Sequence, residues 1–288
     1  MRLKIIIIAN DDIVYSGILL YPLLKKFSQY IDSIFIQDGK LSPGDSYFNL
    51  VKKLFKISGF RYVFFLVIES LIYKIIIYLR RFLKINNYDN DNVIEFPSFL
   101  GKKFKIPVFY NKGSINKNPM IEQIKKINPD LVIAIRYAEI LKKSFLDIPK
   151  LGVLNFHPSL LPQYGGIAPM IQGLINNESK LGYSFHYIDE KIDTGDILFQ
   201  EEINFSIYDS ATYLSLKAHI QASINLPSIV EKILNKQKII PIIPKSEKSY
   251  FSWPTKNQIN LFYKKHNHLI IFNDFLQLLF YDKQKFLK

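Results

Sequence analysis

The chain has 288 residues, enough for one large domain or two small ones with a substantial buried core. It contains no cysteine, which excludes disulfide bonds, a thiolate nucleophile and cysteine-ligated metal sites. The net charge of +13 comes mainly from lysine, and only five residues are arginine. Because arginine is favoured for bidentate phosphate and base contacts, nucleic acid is not an expected partner. The excess of lysine is interpreted as a bias of composition, and a functional basic surface is the alternative.

Short apolar runs alternate with helical patterns along most of the chain. The runs that predict strands lie at 3–9, 33–37, 107–109, 131–135, 152–155, 183–188 and 197–205. The patterns that predict helices lie at 16–30, 121–127 and 211–234. This alternation predicts an α/β fold with a mostly parallel sheet flanked by helices, and ligands at the carboxyl ends of the strands.

Residues 45–95 interrupt the alternation with an apolar helical insertion. Its stretch 60–82 is strongly apolar, but Glu69 and Lys74 break the run of about 18 apolar residues that a spanning helix requires. Three placements are compatible with this pattern. Packing against the core or a second copy of the chain is preferred, a helix lying on a membrane surface is the second, and a true span is the third.

Asn155 and His157 stand at the end of a predicted strand, where residues two apart point to the same face. Pro158 ends the strand, and an acidic segment with Asp193 follows about 40 residues later. An amide donor, an imidazole and a carboxylate are what an acyl-type transfer needs to stabilise an oxyanion and move a proton.

These residues belong to four segments that resemble one family. Residues 155–162 resemble the N-x-H-x-S-L-L-P signature of formyltransferases that use 10-formyltetrahydrofolate, and 189–197 resemble their acidic loop D-x-G-I-D-T-G-D-I. Residues 164–169 resemble the Y-R-G-x-A-P turn, with Gly165 in place of the arginine. Residues 129–141 resemble the strand and loop that hold the pterin ring. The likeness covers about 105–205 closely and the N-terminal strand loosely.

The resemblance implies a Rossmann-like formyltransferase fold and a set of site residues. It selects Asp193 over Asp189 and Asp196 as the acid that acts with Asn155 and His157. It implies 10-formyltetrahydrofolate as the formyl donor, with no metal. The residues expected to contact the folate are Arg136, Tyr137, Ala138, Glu139, Ile140, Leu141, Asp189 and Lys191.

The expected reaction is formylation of the primary amine of an amino sugar, nucleotide- or lipid-linked, for surface polysaccharide synthesis. This follows by elimination, because the chain lacks the full barrel of tRNA-directed members and the glycine-rich first loop of glycinamide-ribonucleotide members. Methionyl-tRNA or glycinamide ribonucleotide as acceptor, or a non-catalytic folate-binding assembly protein, are the alternatives. A homodimer is the expected assembly.

The predicted helix that ends at 234 divides the chain in two. We predict a catalytic domain over 1–235, which includes the insertion, and a C-terminal extension over 236–288 built from a strand and helices. The first apolar run is too short for a secretory signal and is followed by Asp11 and Asp12. A cytoplasmic location is therefore expected, at the inner face of the membrane if 60–82 contacts lipid.

Overall fold

A computed structural model gives the fold for residues 3–12, 14–37, 47–111, 113–265 and 267–286. Ile13, in the first loop, and positions 45–46 of the predicted insertion lie outside these described residues.

Seven strands of the described chain form one sheet, in the order β3-β2-β1-β4-β5-β7-β8. The first five in this order run parallel, and β7 pairs antiparallel with both β5 and β8. Two short strands, β6 and β9, form a separate parallel pair. The strands are β1 Ile5–Asn10, β2 Ile31–Gln37, β3 Val108–Asn111, β4 Leu131–Ile135, β5 Val153–His157, β6 Gly165–Gly166, β7 Leu181–Tyr187, β8 Ile197–Ile203 and β9 Tyr250–Phe251. The predicted mostly parallel sheet is confirmed.

Helices cover both faces of this sheet. They are α1 Tyr15–Phe27, α2 Tyr47–Phe82, α3 Pro97–Lys103, α4 Asn118–Ile127, α5 Lys143–Leu146, α6 Pro169–Ile175, α7 Ala211–Leu234, α8 Lys256–Lys264 and α9 Phe272–Leu279. The predicted helix at 211–234 has these bounds, because the Ser210 side chain caps its first turn. The helix predicted at 121–127 begins three residues earlier, where a proline occupies its first turn.

The continuous isoleucine run of β1 is buried on both faces, as a central parallel strand requires. Ile5 and Ile7 belong to the core layer that includes Leu19 and Leu24 of α1. The alternate side chains, among them Ile6, belong to the layer on the opposite face with residues of α4 and α5. The sheet is therefore the middle of three layers.

The ends of β4 and β5 lie side by side. Ala134 pairs with Asn155 in a parallel register, so the chain that follows β4 leaves the sheet next to His157. The carboxyl end of β1 pairs with β4 on its other side. Three loops therefore converge at one edge of the sheet.

The apolar insertion forms α2, a 36-residue helix interrupted at Gly59, where φ is 80° and ψ is 175°. Glycine adopts this conformation without the steric cost of a side chain. One face of α2 is buried, with Tyr62 and Ile76 at 2% and 0% exposure. On the opposite face Phe64 and Leu71 are about half exposed. Packing on the core therefore explains only one of the two faces.

Arg80 fastens α2 to two later segments. Its guanidinium is buried and donates to the carbonyls of Leu279 at 2.6 Å and Asn92 at 2.9 Å, and to Oδ1 of Asn86 at 2.8 Å. Burial lowers the pKa of Arg80 to about 10, so the side chain stays charged at neutral pH. The C-terminal extension thus packs on α2 through α8 and α9. The domain boundary at 235 stays a prediction.

We expect Arg80→Met to lower the free energy of unfolding by about 2–4 kcal/mol, because it leaves buried carbonyls without a donor. Urea denaturation measures this change. Lys74→Met, at an exposed position of the same helix, is the control and should stay within about 0.5 kcal/mol of wild type. Equal denaturation midpoints for Arg80→Met and wild type would show that these hydrogen bonds do not hold α2 in place.

Candidate functional site

Asn155 and His157 project from the same face of β5, and Asp193 reaches them from the loop after β7. Asp193 adopts a left-handed conformation, with φ of 51°, and its side chain is 12% exposed. One carboxylate oxygen, Oδ2, lies 3.7 Å from Nδ1 of His157 and accepts the backbone N–H of Gly166 at 2.7 Å. The structure therefore brings together the three residues that the sequence selected as catalytic.

The hydrogen bonds of His157 define where its protons lie. Nε2 is 2.9 Å from the carbonyl oxygen of Tyr164, which only accepts, so this nitrogen carries a hydrogen. Nδ1 faces the Asp193 carboxylate. Both ring nitrogens of His157 therefore face an oxygen acceptor, at 2.9 Å for Nε2 and 3.7 Å for Nδ1.

A second imidazole, that of His186, completes the arrangement. Its Nδ1 donates to the Tyr187 carbonyl at 2.8 Å, which leaves Nε2 of the neutral ring as an acceptor. Nε2 lies 3.0 Å from Nδ2 of Asn155, so the Asn155 side chain must turn its NH₂ group toward this histidine. His186 thus orients the Asn155 amide. One N–H is used in that contact, and the second remains for a ligand.

The sequence did not connect His186 with Asn155. The residue is buried, with 1% exposure. The contact arises because β5 and β7 pair antiparallel with Asn155 opposite His186. Alternation along β7 indicates which face His186 occupies, but this pairing is not readable from the sequence.

The C-terminal extension shapes the loop that holds Asp193. Gly165 N–H donates to the Ser249 carbonyl at 3.0 Å, and Ile167 N–H donates to the Phe251 carbonyl at 2.8 Å. Gly166 has φ of 95°, and a Cβ there would lie 2.1 Å from the Phe251 carbonyl oxygen. Only glycine fits this close approach. Residues 249–251 are therefore part of the site's support, which the sequence reasoning missed.

The loop after β4, predicted to hold the pterin, is fixed mainly by its own hydrogen bonds. The Glu139 carboxylate accepts the Ile115 N–H at 3.0 Å and an Asn116 side-chain N–H at 2.7 Å, so it holds the neighbouring loop. Ile140 is 58% exposed, whereas the Leu141 side chain is buried in the core. Of these residues, Ile140 offers the apolar surface most accessible to a ligand.

Three further folate candidates follow β4 directly and contact residues at the ends of neighbouring strands. Tyr137 accepts a hydrogen bond from Asn111 at 3.3 Å, and Ala138 N–H donates to the Gln37 side chain at 3.0 Å. Arg136 instead turns toward β1, where its Nε lies 2.9 Å from Oδ2 of Asp12. Its guanidinium also lies over the ring of Tyr15, 4.8 Å from the centroid. The folate-binding role of each of them stays a prediction.

Asp189 and Lys191 lie in the loop that leads to Asp193. The Asp189 carboxylate accepts the Lys191 N–H at 3.0 Å and the Thr194 hydroxyl at 2.5 Å, so it closes the loop on itself. The Lys191 side chain is exposed. Asp189 therefore helps to shape the backbone that presents Asp193, and its contact with folate stays a prediction.

Comparison with known proteins places the chain in a family. A family model described as formyl transferase matches residues 83–230, slightly more than half of the chain. The chain belongs to the formyl transferase family. The match includes Asn155, His157 and Asp193 and begins directly after α2, so the long helix and the C-terminal extension lie outside it.

Individual relatives agree with this assignment. A methionyl-tRNA formyltransferase of Fusobacterium nucleatum is 42% identical over 107 residues, which are 37% of this chain and 34% of that protein. The chain spans only between about a third and a half of the length of such relatives.

Among solved structures, an N-formyltransferase from Helicobacter canadensis, in complex with folinic acid and dTDP-3-aminofucose, has 18% identity and a TM-score of 0.56. The match covers 98% of this chain and 82% of that one. A phosphoribosylglycinamide formyltransferase from Anaplasma phagocytophilum has 16% identity and a TM-score of 0.55, over 88% of this chain and 98% of that one. At these identities the likeness concerns the fold, and it confirms the predicted Rossmann-like formyltransferase fold.

Because His186 is buried in its neutral form, the stability of the folded protein should depend on pH. Burial is the largest cause that lowers the pKa of His186, to about 4, although the Asp193 charge opposes it. The unfolded chain, with an ordinary pKa of about 6.5, then binds more protons, so stability is lost as the pH falls from about 6.5 to about 4.

We expect His186→Gln to reduce the slope of unfolding free energy against pH in this window, because glutamine can still accept from Asn155 but does not titrate. Denaturation at a series of pH values measures the slope. His268→Gln, at an exposed histidine, is the matched control and should keep the wild-type slope. An unchanged slope in His186→Gln would mean that His186 is not held neutral by the fold.

Proposed function

We propose that the protein is an N-formyltransferase that moves the formyl group of 10-formyltetrahydrofolate to a primary amine. The observation that carries this proposal is the position of the Asp193 carboxylate, 3.7 Å from His157, beside an Asn155 amide oriented by His186. Membership of the formyl transferase family supports the same reaction.

In the proposed reaction the amine attacks the formyl carbon, and negative charge develops on the formyl oxygen. The second N–H of Asn155 and the Nε2–H of His157 stabilise this charge as an oxyanion hole. In the structure His157 donates that hydrogen to the Tyr164 carbonyl, so the developing oxyanion must replace this carbonyl as the acceptor. The new carbon–nitrogen bond forms before the bond to folate N10 breaks.

Proton movement follows the same residues. The attacking amine becomes positively charged and must lose one proton, while the departing N10 must gain one. The Asp193 carboxylate, 3.7 Å from Nδ1 of His157, orients the imidazole and then accepts the amine proton directly or through one water. No net proton is consumed, because the proton that leaves the amine is returned at N10.

The folate donor is assigned to the loop after β4 and the Asp189–Asp193 loop, which flank the candidate catalytic residues. Ile140 supplies exposed apolar surface for the pterin ring. Asp189 fixes the backbone of the second loop through Lys191 and Thr194, so recognition there depends on backbone groups. In this proposal the protein supplies the binding surfaces and the polar groups of Asn155, His157 and Asp193, whereas the reactive formyl group is carried by the folate.

For the acceptor we propose an amino sugar on a nucleotide or lipid carrier, within surface polysaccharide synthesis. Supporting this choice is the fold likeness to the Helicobacter canadensis enzyme, which extends over nearly the whole chain, including the C-terminal extension. The similarity to methionyl-tRNA formyltransferases covers 37% of the chain in the Fusobacterium nucleatum relative. A methionyl-tRNA or glycinamide-ribonucleotide acceptor is the competing assignment, and the scarcity of arginine argues against tRNA.

Asn155→Ala, His157→Ala and Asp193→Asn should each reduce kcat by roughly 10²–10³, because each removes a donor or the charge that orients one. Rates of folate release in the presence of amine acceptor, with thermal melts to verify folding, measure the effect. Asp196→Asn is the matched control from the same loop and should stay close to wild type. A normal rate for Asp193→Asn together with loss in Asp196→Asn would overturn the assignment of the acid.

A panel of acceptors distinguishes the proposed substrates. Nucleotide-linked amino sugars, lipid-linked amino sugars, methionyl-tRNA and glycinamide ribonucleotide are each supplied with 10-formyltetrahydrofolate, and formylated product is detected by mass spectrometry. We expect formylation of an amino sugar alone. Product only from one of the other acceptors would overturn the sugar assignment, and folate binding with no turnover of any acceptor would support the non-catalytic alternative.

A further inference from the structure

The outer face of α2 carries a line of exposed apolar side chains. We call this line the apolar stripe; its members are Phe60, Phe64, Val67, Leu71, Ile75, Tyr78 and Phe82, each between 48% and 82% exposed. Within the described residues, nothing covers it. Contiguous apolar surface of this kind marks an interaction site in a folded protein.

The stripe is straight. Phe60 and Tyr78 are 18 residues apart, which is five full turns of 3.6 residues, so they share one direction on the helix. The spacing of the other members follows the same period, and Lys74 stands where a strict seven-residue repeat would place the next apolar residue. A seven-residue repeat produces a seam that supercoils around a partner helix, whereas a 3.6-residue period produces a straight line. A line of about 33 Å suits a flat surface.

The charges on α2 have one sign. The helix contains seven basic residues and a single acid, Glu69. Glu69 points inward, where its Oε1 accepts the Tyr73 hydroxyl at 2.6 Å and the Thr212 hydroxyl at 3.0 Å. Arg80 is buried, and Arg81 pairs with Glu95 at 2.5 Å. The exposed basic residues for which the described chain provides no carboxylate partner are Lys52, Lys53, Lys56, Arg61 and Lys74.

We propose that the part of α2 after Gly59 lies flat on an anionic lipid bilayer, with the apolar stripe inserted between headgroups and basic residues of α2 in contact with lipid phosphates. Apolar insertion and attraction between basic residues and anionic lipid together produce this kind of binding. A second copy of the chain is a poorer occupant. Pairing two stripes would bring Arg61 and Lys74 of both copies to one interface without an opposing carboxylate, and like charges at an interface are unfavourable.

A membrane span does not suit the same helix, although the helix is long and apolar enough to cross a bilayer. The most apolar 18-residue window has a mean hydropathy of 2.0, and a third of it is buried in the protein. Spanning would place Glu69 and Arg80 in hydrocarbon and break their bonds to Thr212 and Leu279. The one-sided stripe requires no such loss.

Vesicle flotation tests the proposal on the full chain. Vesicles of phosphatidylcholine mixed with phosphatidylglycerol should retain at least about ten times more protein than phosphatidylcholine alone, and high salt should release it. Phe60→Ser combined with Phe64→Ser should abolish flotation. Ile240→Ser combined with Ile243→Ser, at exposed apolar positions outside α2, is the matched control and should float like wild type.

The absence of cysteine from the chain permits a second measurement that does not depend on the serine variants folding. The single variants Leu71→Cys and Ile75→Cys, and Glu247→Cys as a control at an exposed position, are labelled with an environment-sensitive fluorophore. Anionic vesicles should shift the emission of the two α2 labels to shorter wavelength and leave the control label unchanged.

Three outcomes would overturn the proposal. A chain that ignores anionic vesicles and whose dimer dissociates in the Phe60→Ser, Phe64→Ser variant would assign the stripe to a second copy. Protein that neither high salt nor alkaline carbonate extracts from membranes would assign α2 to a span. A monomer that binds no vesicles and shows no shift of either α2 label would leave the stripe without a lipid partner.

Discussion

The structure of the site depends on one partly desolvated carboxylate. Asp193 accepts the Gly166 N–H and lies 3.6–3.7 Å from the imidazoles of His157 and His186. A carboxylate so little exposed to water must be paired, so the three segments that supply these partners cannot move independently. Each partner constrains the next: His186 orients Asn155, and Gly166 is held by Phe251 of the extension. The candidate catalytic residues and the residues that hold them in place thus belong to one network of contacts.

The two faces of α2 differ in their surroundings: the inner face packs on the protein, and the outer face is exposed. On the inner face, Glu69 connects the insertion to Thr212 at the start of α7, and burial raises the pKa of its carboxyl despite hydrogen bonds that oppose the shift. The tyrosine hydroxyls of Tyr15 and Tyr73 are 2.8 Å apart beside it, and Arg136 lies over the Tyr15 ring. The insertion therefore reaches the edge of the sheet where β4 ends. A helix anchored there by polar bonds is fixed in orientation, and its outer face stays outward.

The sequence pattern predicted those features that depend on residues close together in the chain. The isoleucine run of β1 and the helix at 211–234 follow from periodicity and burial, and the same-face placement of Asn155 and His157 follows from strand geometry. The acid was selected by family resemblance, since Asp189 and Asp196 offered the same chemistry. Contacts between distant segments were not predictable: the β5–β7 register that brings His186 to Asn155, and the approach of Phe251 to Gly166, join residues that share no local signal.

The site in this state satisfies its own polar groups. His157 donates to the Tyr164 carbonyl, and Asn155 donates one N–H to His186. An oxyanion is a stronger acceptor than a carbonyl, because hydrogen bonds to charged groups are the stronger ones. In the proposed reaction, exchange of the Tyr164 carbonyl for a developing oxyanion is therefore favourable when charge forms and unfavourable before it. There the Asn155 donor is aimed by His186, which does not itself react, and such preorganisation favours the transition state over the bound substrate.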